Sequence, residues 1–259
     1  MNPITSRILP QPRLGVPPRP RPPQATRSTL SNGLRLVTVP RGTLPQVGIR
    51  LVVPAGATAD PLGRAGLAAL TGSLLTEGTN SLSSEEFNRR VDRLGMSINV
   101  QVGHDFTEID LLLLRETVAE GIELLAKILS APAFPESEFQ RIRAESIEAL
   151  QARLDEPANV ADDGLAHAVF GAEHPYARIP RGEIEAVGSL SRDDVIAFHQ
   201  AHFRPKGAVL VAAGDLDETA FADLLEEKLA RWQGGPDRVN TPAWHLPTPQ
   251  RQRIDLPWP

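Results

Sequence analysis

Gly66-Leu67-Ala68-Ala69-Leu70-Thr71-Gly72-Ser73-Leu74-Leu75-Thr76-Glu77-Gly78-Thr79 is the stretch on which the reading of this 259-residue chain turns. It reads as a helix, led in by Asp60-Pro61-Leu62-Gly63, with Asp60 or a nearby glycine satisfying the free amides of the first turn. Gly72 inside it costs roughly 0.8–1 kcal/mol relative to alanine. The small residues Ala69, Gly72 and Ser73 imply close packing against a neighbouring element.

Upstream, Asn32-Gly33 is a turn signal, followed by Leu34-Arg35-Leu36-Val37-Thr38-Val39, whose period-two alternation suits a half-buried strand. A second strand runs from Val47 through Val53 and stops at Pro54-Ala55-Gly56. Downstream, Ser83 and Glu86 match a capping box opening a helix that ends near Gly95. Residues 97–102 and 107–114 alternate as an antiparallel hairpin around Gly103-His104-Asp105-Phe106. His104 and Asp105 read as a solvated turn, with a proton-transfer pair or metal ligands as the functional alternative.

Two long helices follow. Residues 116–130 place Val118, Ile122, Leu125 and Leu129 on one face, the spacing of a helix lying on a sheet. After Ala131-Pro132-Ala133-Phe134-Pro135, residues 136–154 carry Phe139, Ile142, Ile147 and Leu150 among charges. Residues 159–170 read as a helix, and His174 as a loop residue. Ser191 caps a helix ending at His199 and His202, Ala208 through Ala213 forms an apolar strand, and Phe221 through Trp232 forms a last amphipathic helix.

Composition bounds the function. No run reaches the roughly 18–20 apolar residues that span a bilayer, and a net charge of -5 opposes nucleic-acid binding, which needs a basic face. Zero cysteines exclude disulfides, thiolate metal sites and a cysteine nucleophile. No G-x-S-x-G elbow supports a serine nucleophile. His199 and His202 admit an unorthodox metal site with His167 or His174, but histidines at a helix C-terminus stabilised by the macrodipole account for them better. Residues 1–28 hold eight prolines, five arginines and no acid, which favours an extended tail over a core-forming or signal segment.

The ordered frame resembles the M16 metallopeptidases (pitrilysin, insulinase, mitochondrial processing peptidase), whose zinc helix usually reads G-L-A-H-F-L-E-H-M-L-F-K-G-T. It extends to Glu173-His174-Pro175-Tyr176-Ala177-Arg178, similar to H-P-Y-G-R, and to Phe203-Arg204-Pro205 before Gly214-Asp215. Over residues 29–240 the resemblance implies an α+β, LuxS/MPP-like metallohydrolase fold, with helices packed on one face of a mainly antiparallel sheet. Residues 241–259 resemble a linker entering a second M16-like domain. The H-x-x-E-H signature places two imidazoles four residues apart on one helical face, with a glutamate as general base. Here those positions hold Ala69, Ser73 and Gly72, and the third ligand position falls on Ala149 when the frame is laid without gaps. Glu148 takes that slot under a one-residue shift.

The resemblance thus implies a non-catalytic subunit, a pseudoenzyme whose zinc-binding motif is lost, that forms a heterodimer with a zinc-bearing M16 subunit around an extended peptide. No cofactor is expected on this chain, with zinc on the partner only. A structural scaffold like the core subunits of a respiratory complex is the first alternative, and an active metallopeptidase with a relocated metal site the second. A bacterial cytoplasmic location is the expectation, with mitochondrial and periplasmic locations as alternatives.

Overall fold

The computed structural model describes Gly15 and residues 23–171 and 173–235. The expected linker at 241–259, and the expected tail apart from Gly15 and residues 23–28, lie outside them. Six strands form one mixed sheet in the order β1-β2-β6-β3-β5-β4, namely β1 Thr26–Thr29, β2 Arg35–Pro40, β3 Gln46–Val53, β4 Ser97–Val102, β5 Thr107–Leu114 and β6 Val209–Gly214. Every neighbouring pair is antiparallel except β2 with β6. Strand β1 begins inside the segment read as tail; it is exposed along its length and pairs only with β2, so no burial pattern marks it in the sequence.

The described residues also form eight α-helices: α1 Leu67–Leu74, α2 Ser84–Arg93, α3 Val118–Ser130, α4 Glu136–Leu154, α5 Pro157–Phe170, α6 Ile184–Ser189, α7 Arg192–His202 and α8 Glu218–Lys228. The capping box of α2 forms as expected: Glu86 N donates to Ser83 Oγ at 3.3 Å and Ser83 N to Glu86 Oε2 at 2.9 Å. Ser191 and Asp194 make the same reciprocal pair at α7. The first long helix packs through Val118, Ile122, Leu125 and Leu129, all buried. Helix boundaries differ from the sequence reading: α1 stops at Leu74, α3 begins at Val118, α5 begins at Pro157, and α8 runs from Glu218 to Lys228 although Trp232 beyond it is 2% exposed; α6 is an additional helix.

The core lies on one face of the sheet. Val47, Ile49, Leu51 and Val53 of β3 and Ile109, Leu111 and Leu113 of β5 point into it and meet the helices, as a period of two requires. On the opposite face the register sets Arg50 beside Asp110, and its guanidinium donates to both carboxylate oxygens at 2.6 and 2.9 Å. Leu112, 48% exposed, shares that face. No helix among the described residues is long and apolar enough to cross a membrane.

Candidate functional site

Gly66, whose φ of 97° is left-handed, precedes the first residue of α1, Leu67. Asp60 supplies the cap expected of it, its carboxylate accepting from Gly66 N and Ala68 N, each at 2.8 Å. Burial pushes the Asp60 carboxyl up to about 6, against the opposing pull of those amides and of the Arg178 guanidinium. A carboxyl whose folded pKa stands above its ordinary 3.8 contributes stability that is fully present below 3.8 and lost as pH rises through about 6. The difference in unfolding free energy between the parent chain and Asp60→Asn is therefore expected to move about 2 kcal/mol against the parent from pH 4 to pH 7. Urea titrations at each pH measure it, and a flat difference refutes it. His199 contributes with the opposite sign, so the comparison with the variant isolates Asp60.

The three small residues of α1 do not share one role. At Gly72 an added Cβ would lie 2.5 Å from Val102 Cγ2 and 3.5 Å from Val100 Cγ1, so the helix seats on β4 through glycine, as close packing predicts. Ala69 is half-buried and Ser73 is exposed; both line an open cleft of about 330 Å³ shared with Gln101, Ser146, Arg181 and Val187. The packing expectation therefore fails at Ser73. From α4 the cleft receives Ser146, whose Oγ donates to Ile142 O at 2.7 Å. Ala149 is exposed, and so are Glu145 and Glu148; Glu145 pairs with Arg141 at 2.9 Å.

A loop brings the remaining wall. Gly182, with φ of 87°, lies back to back with Gly66: an added Cβ on Gly182 would fall 2.3 Å from Ala65 O and 2.5 Å from Gly66 Cα. That contact seats Arg181 beside α1. Sequence reasoning missed Arg181, Gln101 and Ser146, because they converge only in three dimensions and carry no motif. The cleft offers hydroxyls and a guanidinium beside aliphatic side chains, which is not the set of imidazole, thiolate or carboxylate donors that holds Zn²⁺. The donor chemistry does not fit that metal.

The histidines divide among separate places. His104 and Asp105 are half-buried, correcting the solvated-turn reading: Tyr176 Oη donates to Asp105 Oδ2 at 2.5 Å and His104 Nε2 donates to Arg178 O at 3.1 Å. Thr58 N also donates to His104 O at 2.7 Å, so the hairpin tip is clamped between two loops. The Asp105 hydrogen bond raises the Tyr176 hydroxyl above its ordinary value. His174 is a buried loop residue whose Nδ1 accepts from Tyr176 N at 3.0 Å.

His199 is buried, stacked on Phe203 at 5.1 Å and edge-on to Phe134 at 5.5 Å. Burial pushes its imidazole down to about 4, and burial also lowers His202. Desolvation therefore outweighs the macrodipole, which would have favoured the charged form. Among the described residues no group of three or more His, Cys, Asp or Glu side chains is placed to hold a metal ion.

Comparison with known proteins places this fold. The profile of the family described as Insulinase (Peptidase family M16) matches residues 35–178, and that described as Peptidase M16 inactive domain matches residues 189–257. The chain belongs to peptidase family M16. Strand β6, inside the second match, lies between β2 and β3 of the first, so over the described residues the two matches build one sheet. The chain is 24% identical over 201 residues to the zinc protease PqqE of Helicobacter pylori, covering 77% of this chain and 45% of that one. It is 24% identical over 221 residues to bovine (Bos taurus) mitochondrial cytochrome b-c1 complex subunit 1, covering 85% and 46%. The structure of a peptidase M16 inactive domain from Pseudomonas fluorescens superposes with a TM-score of 0.81 at 21% identity, over 86% of this chain and 54% of that one. The chain thus spans about half the length of the curated relatives it matches.

Proposed function

We propose that this chain is a non-catalytic M16 subunit that pairs with a zinc-bearing M16 chain and forms one wall of a chamber around an extended peptide. The observation that carries this reading is the cleft-facing side of α1. Ala69 and Ser73, which line it, bring no donor atom and only a hydroxyl, and Gly72, buried against Val102, can take no proton from water. Ala149 on α4 adds no ligand. Zinc, in this account, resides on the partner alone. A relocated metal site finds little support, since His199 is buried among aromatic rings.

A second reading, a structural scaffold, is favoured by the likeness to the cytochrome b-c1 subunit. Native mass spectrometry of the full chain with added zinc, alone and with a zinc-bearing M16 subunit, tests the proposal. No zinc on this chain and a defined hetero-complex with a raised peptidase rate are expected. A complex with an unchanged rate selects the scaffold, and stoichiometric zinc on the chain alone overturns both.

A further inference from the structure

We infer that the α1 cleft is a carboxylate-binding pocket for peptides, in which the Arg181 guanidinium takes the anionic group. The inference rests on the zinc-less reading of the same cleft and names the chemistry that replaces the metal there. Arg181 is the single charged residue among the described residues that line the cleft, so they give its wall one positive charge and no carboxylate to cancel it. Among the described residues its side chain makes no ion pair and no hydrogen bond, whereas Arg141 is held by Glu77, Glu138 and Glu145 and Arg50 by Glu108 and Asp110. A planar guanidinium presents parallel N–H donors that match a carboxylate in two-point fashion.

The neighbours complete the recognition. The Ser73 hydroxyl lines the same cleft and has a donor to offer, while the Ser146 proton is already committed to Ile142 O. Leu70, Val100, Val102 and Val187 give the rest of the wall an aliphatic character. A volume of about 330 Å³ sits at the lower end of ligand pockets, enough for the end or one acidic residue of a peptide and too small for a folded partner. The arginine is not free to leave: the Gly66–Gly182 contact fixes its backbone against the start of α1. The ligand is thus a peptide carboxylate beside an aliphatic side chain, supplied either by a free C-terminus or by an Asp or Glu side chain.

Fluorescence anisotropy at low ionic strength tests this with three N-terminally labelled, otherwise uncharged octapeptides ending in leucine: the free acid, the C-terminal amide, and the amide carrying a penultimate glutamate. The free acid or the glutamate amide is expected to bind at least about tenfold tighter than the plain amide, and whichever does so identifies the source of the carboxylate. Arg181→Ala is expected to erase that preference and Arg181→Lys to retain part of it, with unchanged thermal unfolding because the side chain is exposed. Equal binding of all three peptides, no binding, or a preference that survives Arg181→Ala overturns the inference. The hetero-complex is read separately by mass: a complex without carboxylate preference overturns this inference and leaves the subunit proposal standing. A carboxylate preference without any complex upholds the pocket and counts against pairing.

Discussion

Gly182→Ala is expected to destabilise the chain by about 3 kcal/mol or more, among the largest effects a single methyl can produce. Two penalties combine. Alanine at a φ of 87° is strained whatever the surroundings, and its Cβ would stand 2.3 Å from Ala65 O and 2.5 Å from Gly66 Cα. Both contacts are backbone, so no side chain can swing aside. Relief requires the loop carrying Arg181 to move off α1, which opens the cleft and loosens the Asp60 cap on the same turn. Denaturant titration measures the loss, provided unfolding remains two-state. A cost below about 1 kcal/mol would mean that loop and helix are not locked as described.

Trp232→Ala is expected to cost about 3–5 kcal/mol, the range for emptying a large aromatic site in a core. The indole is 2% exposed and its Nε1 donates to Phe203 O at 2.9 Å. Truncation leaves a cavity and an unpaired buried carbonyl together. The main chain is tied here as well: Asn32 Nδ2 donates to Trp232 O at 3.1 Å, joining the segment after α8 to the turn before β2. Trp232→Phe, which keeps most of the volume but not the N–H, is expected to recover more than half of the loss. Thermal or urea unfolding of the two variants separates packing from the hydrogen bond. Equal losses in both would assign the whole effect to that bond.

Much of the fold was legible along the chain. Strands β2 and β3 follow from alternation after Asn32-Gly33, and α2 and α7 from Ser83 and Ser191 with acids three residues on. Helix α3 follows from apolar residues at helical spacing. These signals are local, arising from hydrogen bonds and side-chain periods within a few residues. Strand β1 was illegible because an exposed edge strand buries nothing and so has no pattern to read. The end of helix α8 was read too late because Trp232 looks like another apolar position of the same helix, whereas it packs from the segment beyond.

The chemistry of the site divides along the same line. The sequence by itself determined that Ala69, Gly72, Ser73 and Ala149 bring no imidazole or carboxylate, since donor chemistry belongs to the residue wherever it is placed. It also determined, through an ordered frame of glycine, proline and apolar positions, that the chain belongs with the M16 peptidases. Tertiary structure decided the rest. It separated Gly72, pressed on Val102, from Ser73, open to the cleft; it clamped His104 and Asp105 and buried His199. It alone set Arg181, more than a hundred residues downstream, against the start of α1. The reason is physical: burial, a shifted pKa and an unpaired charge depend on what surrounds a group in space, and those surroundings come from segments that sequence distance does not relate.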